Sequence, residues 1–149
     1  MARGGSPAYL RSMSKPVSPG EAAGVTEPMI RALVHAFYAR VRRDPELGPI
    51  FEAAIGEAWD AHLAKLCDFW SSVVLRTGRF EGSPMAAHLR LQAQIGPAHF
   101  ARWLALFADT AQAVCPPPAA ALFKARSEMI AQSLQLGLAA SRGELPPVR

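Results

Sequence analysis

Cysteine is scarce. The chain has two, Cys67 and Cys115, and they form no C-x-x-C pair. That excludes a zinc knuckle, a dithiol redox couple and thioether attachment of a cofactor. Both lie in apolar helical patterns and read as buried free thiols. This points to a reducing compartment, so the expected localisation is cytoplasmic. Long apolar runs are missing as well. Half of the residues are hydrophobic, but charges break each run well short of the roughly 20 residues that span a bilayer. A membrane partner is therefore not expected. Acid is absent from the first 20 residues, which hold Arg3, Arg11 and Lys15. Without them the formal charge of +4 falls to +1, with 13 bases facing 12 acids. A nucleic-acid binder concentrates base on one face. Here Arg40, Arg42 and Arg43 are followed at once by Asp44 and Glu46, so nucleic acid is not expected either. Apolar residues nowhere alternate with period two, so strands are not expected.

What remains is helical. A length of 149 residues suits one domain with one core. Residues 1–24 are rich in Gly, Ser, Pro, Ala and Arg, have no period, and read as a disordered N-terminal arm. The arm lacks the apolar stretch of a secretory signal. Its composition has a trace of an organelle transit peptide, but an extended start is the simpler reading. Residues 25–141 read as the folded domain and 142–149 as a loose C-terminal tail. Thr26 caps a first long helix, with Glu27 and Pro28 in its first turn. Its stripe is Ile30, Leu33, Val34, Phe37, Tyr38 and Val41. "PELGPIFEAAIG" is a short helical corner. A second long helix, from Glu57 to a stop at Gly78, turns Trp59, His62, Leu63, Leu66, Phe69, Trp70, Val73 and Val74 to one side. "SPMAAHLRL" is a short segment with Pro84 in a first turn and His88 among Met85, Ala86, Ala87 and Leu89. A third long helix starts near Gly96 and ends at Pro116, Pro117 and Pro118. A fourth follows over "AAALFKARSEMIAQSLQLGLAAS". Four such helices predict a compact all-α domain.

Tyr38, His62 and Trp103 each place a hydrogen-bonding aromatic group on the apolar face of a different long helix. Singly, each is an ordinary core residue. Together, "FYARVRRDPELGPIF", W-x-x-H-x-x-K, "DFW", H-L-x-L and "WLALF", in that order, resemble the group III truncated haemoglobins. The similarity runs from about residue 26 to about residue 139. The Gly-Gly motifs of the other truncated groups are missing outside the arm. The resemblance implies a globin-like two-over-two helical sandwich around non-covalent haem b. It puts the proximal iron ligand on His88 and the distal residues on Phe37, Tyr38, His62 and Trp103. His35 and His99 match no family ligand and read as surface residues.

The residues suit that chemistry. A neutral imidazole is the usual axial base of globin iron. Leu66, Phe69, Trp70, Val73, Met85, Leu89, Phe100, Leu104, Phe107 and Met129 can wall an apolar pocket. Lys65, Arg76, Arg79 and Arg90 are candidates to meet the propionates, Lys65 by snorkelling. Tyr38 and Trp103 are hydrogen-bond donors for dioxygen, and two donors favour slow release. That suits oxygen, peroxide or nitric oxide redox chemistry, such as nitric oxide dioxygenase or peroxidase-like activity, better than bulk oxygen transport. Dioxygen, nitric oxide and CO are the expected ligands, and a reductase an expected partner. His62 could bind the iron or gate the site. Since two donors are already present, the gate and a five-coordinate ferrous iron are the expectation. The competing readings are a haem-based sensor or redox-signalling module, and a haem-free helical interaction domain.

Overall fold

The computed structural model of the chain describes residues 17–82, 95–141 and 143. Among these residues every regular element is helical: α1 (Pro19–Ala22), α2 (Glu27–Arg43), α3 (Leu47–Ile55), α4 (Trp59–Trp70), α5 (Pro97–Val114) and α6 (Pro117–Ser141). A π-helical turn, Ser71–Leu75, continues α4. No described helix is long and apolar enough to cross a membrane.

Helix α2 organises the rest. Thr26 Oγ1 accepts the Met29 N–H at 3.3 Å, pairing one of the amides that a helix start leaves open. The helix stops at Asp44, which is extended at φ −72° and ψ 130° because the following Pro45 disfavours the helical region. Ile30, Leu33, Val34, Phe37, Tyr38 and Val41 are all buried, as their spacing predicts. Burying one such side chain contributes on the order of 1.5–3 kcal/mol. Helix α2 packs on α3, α4 and α5. Helices α5 and α6 are joined by Cys115 and Pro116 alone and pack along each other, as antiparallel neighbours with a short link must. The result is the expected two-over-two arrangement, α2 and α4 against α5 and α6. One core gathers Phe37, Trp70, Phe107 and Phe123. A second, between α5 and α6, gathers Ile95, Phe100, Ala131, Leu134 and Leu138.

Several local readings change. Residues 18–24, expected in the arm, include helix α1. Ser18 Oγ accepts the Glu21 N–H at 3.1 Å, and Glu21 Oε1 accepts the Ser18 N–H at 3.1 Å. This capping box seats α1 on the π-helical turn, where a Cβ on Gly20 would lie 2.6 Å from the Val74 carbonyl oxygen. Four residues are too few to show an apolar period, so the helix was invisible to periodicity. The second long helix does not run to Gly78. It ends at Arg76, which takes a left-handed φ of 58°. Pro117 and Pro118 do not only end α5; they lie in the first turn of α6, where a missing N–H costs nothing. Met129, expected on a pocket wall, is 58% exposed. The buried residues of α6 are Ala119, Ala120, Phe123, Ser127, Ala131, Leu134 and Leu138, and Met129 falls on the opposite side.

Candidate functional site

Helices α2, α4 and α5 bring their inward aromatic groups into one cluster. The Phe37 ring lies at its centre, edge-on to Tyr38 at 4.7 Å, Trp103 at 5.2 Å and Phe107 at 5.0 Å. Such pairs contribute about 0.5–1.5 kcal/mol beyond area burial. They also fix where the neighbouring polar atoms lie. Tyr38 is edge-on to His62 at 5.8 Å and lies 6.0 Å from the rings of Phe51 and Trp59. His62 is half-buried and edge-on to Trp59 at 5.7 Å.

Burial pushes the Tyr38 phenol up to about 12, against the opposing pull of the nearby Trp103 indole N–H. The hydroxyl therefore stays protonated in neutral solution. The cluster thus presents a buried phenol, a half-buried indole and a half-buried imidazole, held by three helices.

Two charged networks set the helices around it. Asp44 Oδ2 accepts the Glu46 N–H at 3.0 Å and the Leu47 N–H at 2.8 Å, capping α3. Both of its oxygens also accept the Arg102 Nε–H at 2.8 Å. Arg102 first, against burial and helped by the two amides, holds the Asp44 carboxyl down at about 2. Arg102 precedes Trp103, so this pair ties the register of α5 to the end of α2. On the other side, the Trp59 Nε1–H donates to Glu52 Oε1 at 3.0 Å. Arg42 donates from Nε to Glu52 Oε2 at 2.8 Å, and its guanidinium lies 4.5 Å from the Trp59 ring centre.

The chain is 35% identical over 114 residues to the group 3 truncated hemoglobin of Campylobacter jejuni, an alignment covering 74% of this chain and 89% of that protein. It belongs to the group III truncated haemoglobins. The crystal structure of the group III truncated hemoglobin from Campylobacter jejuni matches this truncated haemoglobin with a TM-score of 0.70 at 34% identity, over 74% of this chain and 89% of that one. No protein-family model matches the chain.

In this truncated haemoglobin, Phe37, Tyr38, His62 and Trp103 lie in one cluster. His88, Met85, Leu89 and Arg90 lie outside the described residues. Leu66, Phe69 and Val73 are half-covered beside the main core, and Leu104 beside the second. Lys65 is exposed on α4. Trp70 and Phe107 are enclosed by protein alone: their rings stack at 5.2 Å and 11°, and Phe107 stacks on Trp103 at 5.5 Å and 2°. Phe100 is closed into the second core. Arg76 is exposed, and Arg79 pairs with Glu27 at 3.2 Å. His35 is exposed as expected. His99 is half-buried instead, its Nδ1 accepting the Gly96 N–H at 3.0 Å at the start of α5. Sequence reasoning missed the roles of Glu52, Asp44 and Arg102. Asp44 alone carried a signal, an Asp three residues before Leu47 at a helix start. The partners of Glu52 sit on other helices, and those of Arg102 in the link between α2 and α3.

Proposed function

We propose that this truncated haemoglobin holds haem b without a covalent bond, with His88 as the iron ligand. Phe37, Tyr38, His62 and Trp103 then form its distal side. Membership of a haemoglobin family supports a haem and a gaseous ligand. The described residues fit such a group. Leu63, Leu66, Phe69, Trp103 and Leu104 are half-covered side chains on the two helices that also carry His62 and Trp103. Apolar side chains left in that state suit a flat apolar ring system. When bound, haem supplies an iron that takes a diatomic gas.

The observation that carries the reading is the Tyr38–Trp103 pair. A phenol this deeply buried is costly without a polar partner. Here the indole N–H lies near its oxygen and its proton is held. Tyr38 O–H and Trp103 N–H are both donors for a ligand with partial negative charge on its outer atom. A charge-assisted bond contributes about 1.5–3 kcal/mol, and about 1.4 kcal/mol is tenfold in a rate. Two donors therefore favour slow dioxygen release. Slow release suits redox chemistry on dioxygen, nitric oxide or peroxide, fed by a reductase, more than bulk carriage. His62, at the edge of Tyr38, is the gate to this space and leaves a ferrous iron five-coordinate.

Visible spectra of the ferric, ferrous and CO-bound protein test the reading. His88→Ala should lose haem on gel filtration and regain it with added imidazole. His35→Ala and His99→Ala should leave the spectra unchanged. An unchanged ferrous-CO spectrum in His88→Ala would rule out His88 as the ligand.

A further inference from the structure

We propose that Glu52 and Arg42 are positioning residues for His62, acting through the ring of Trp59. The inference rests on the gate reading of His62. Trp59 is 6% exposed and is held at three places. Its N–H is fixed by Glu52 at 3.0 Å, and its ring lies 4.5 Å from the Arg42 guanidinium. Its inner side meets Tyr38 at 6.0 Å and His62 at 5.7 Å, the latter edge-on at 86°. The Glu52 carboxylate serves both partners at once, one oxygen on Trp59 and the other on Arg42 at 2.8 Å. The clamp therefore spans α2, α3 and α4.

A ring held by its N–H and over its face cannot tilt freely. His62 follows Trp59 by one helical turn, so the two side chains share a face of α4. Tyr38 touches the imidazole as well, at 5.8 Å, and the rings of Tyr38, Trp59 and His62 form a near-equilateral triangle. His62 thus packs against a pair of rings that also touch each other, and the room it has on that side depends on how firmly Trp59 is held. Two surface groups hold it: the side chains of Arg42 and Glu52 are 45% and 42% exposed. The ion pair that sets the gate is open to solvent and screened by salt, so its grip on Trp59 changes with the medium while the buried donor Tyr38 is left alone.

The test is CO rebinding after flash photolysis of the ferrous holoprotein, with the infrared C–O stretch as a second readout. Glu52→Gln and Glu52→Ala are compared in the wild-type and His62→Leu backgrounds, with Arg42→Gln as a further variant. Glu52→Ala should raise the CO association rate several-fold and redistribute the C–O stretch bands. Glu52→Gln keeps an oxygen for the Trp59 N–H and should fall between. In the His62→Leu background the Glu52 substitutions should add nothing, because two residues acting through one path are not additive. A Glu52→Ala or Arg42→Gln protein with unchanged rate and bands, where His62→Leu alters both, overturns the clamp and leaves the gate standing. An effect of Glu52→Ala that persists without His62 also overturns it, since the path would then bypass the imidazole. If His62→Leu itself changes nothing, the gate reading fails and the clamp with it.

Discussion

Replacing Tyr38 with Phe removes one oxygen and keeps the ring that packs on Phe37. In the structure that oxygen is buried near the Trp103 N–H, and it keeps its proton toward pH 12. Trp103 is half-exposed and can turn its N–H to water, so the fold should lose only about 1 kcal/mol. The effect on a bound gas is larger in rate. Loss of one donor worth about 1.4 kcal/mol should speed dioxygen release about tenfold, measured by stopped-flow displacement with CO. The same residue has an alkaline signature. The ordinary phenol value is 10.0 and the folded value about 12. Between them the unfolded chain gives up the proton and the folded chain keeps it, so stability falls as pH rises. Stability is whole below pH 10.0 and is lost progressively toward about 12. At about 1.4 kcal/mol per unit the loss approaches about 3 kcal/mol. Denaturant melts over this range should show that slope in the wild type and lack it in Tyr38→Phe. An unchanged release rate together with an unchanged alkaline slope would refute both the donor role and its physical basis.

His62→Leu should raise the CO association rate and leave dioxygen release little changed; a six-coordinate ferrous spectrum that becomes five-coordinate in this variant would make His62 an iron ligand instead. Asp44→Ala removes the cap of α3 and the partner of Arg102 together and should cost about 2 kcal/mol, read as a lowered melting temperature. The wild-type contribution of Asp44 is present above pH 3.8 and fades as the pH falls toward about 2; the acid limb of a stability–pH curve should lack it in the variant. Gly20→Ala places a Cβ against the Val74 carbonyl and should release α1, seen as faster hydrogen exchange at the Val25 amide, which donates to the Gly20 oxygen at 2.8 Å.

The sequence alone determined the four long helices and, in α2, which side turns inward. The six apolar positions from Ile30 to Val41 repeat with the helical period, and all six are buried. Tyr38, His62 and Trp103 lie on such faces, so each was legible as an inward residue before any coordinates, while their grouping followed from the family resemblance and not from the period. Period is a local property of helix geometry and needs nothing from distant residues. Helix α6 shows the limit. Its apolar residues are spread around the helix, so composition did not say that Met129 faces out while Ser127 and Ala131 face in. Tertiary structure decided that. It also decided the partners: Asp44 meets Arg102 across 58 positions, and Ser71 donates to Glu27 Oε2 at 2.7 Å across 44. The Glu52–Trp59–Arg42 clamp is of the same kind, although its members lie near one another in sequence, because they sit on three different helices. Charged side chains reach one another only after helix crossing angles and axial positions are set. Those depend on how Phe37, Trp70, Phe107 and Phe123 fill a shared volume. A pattern in one helix does not contain that information; the packing of several does.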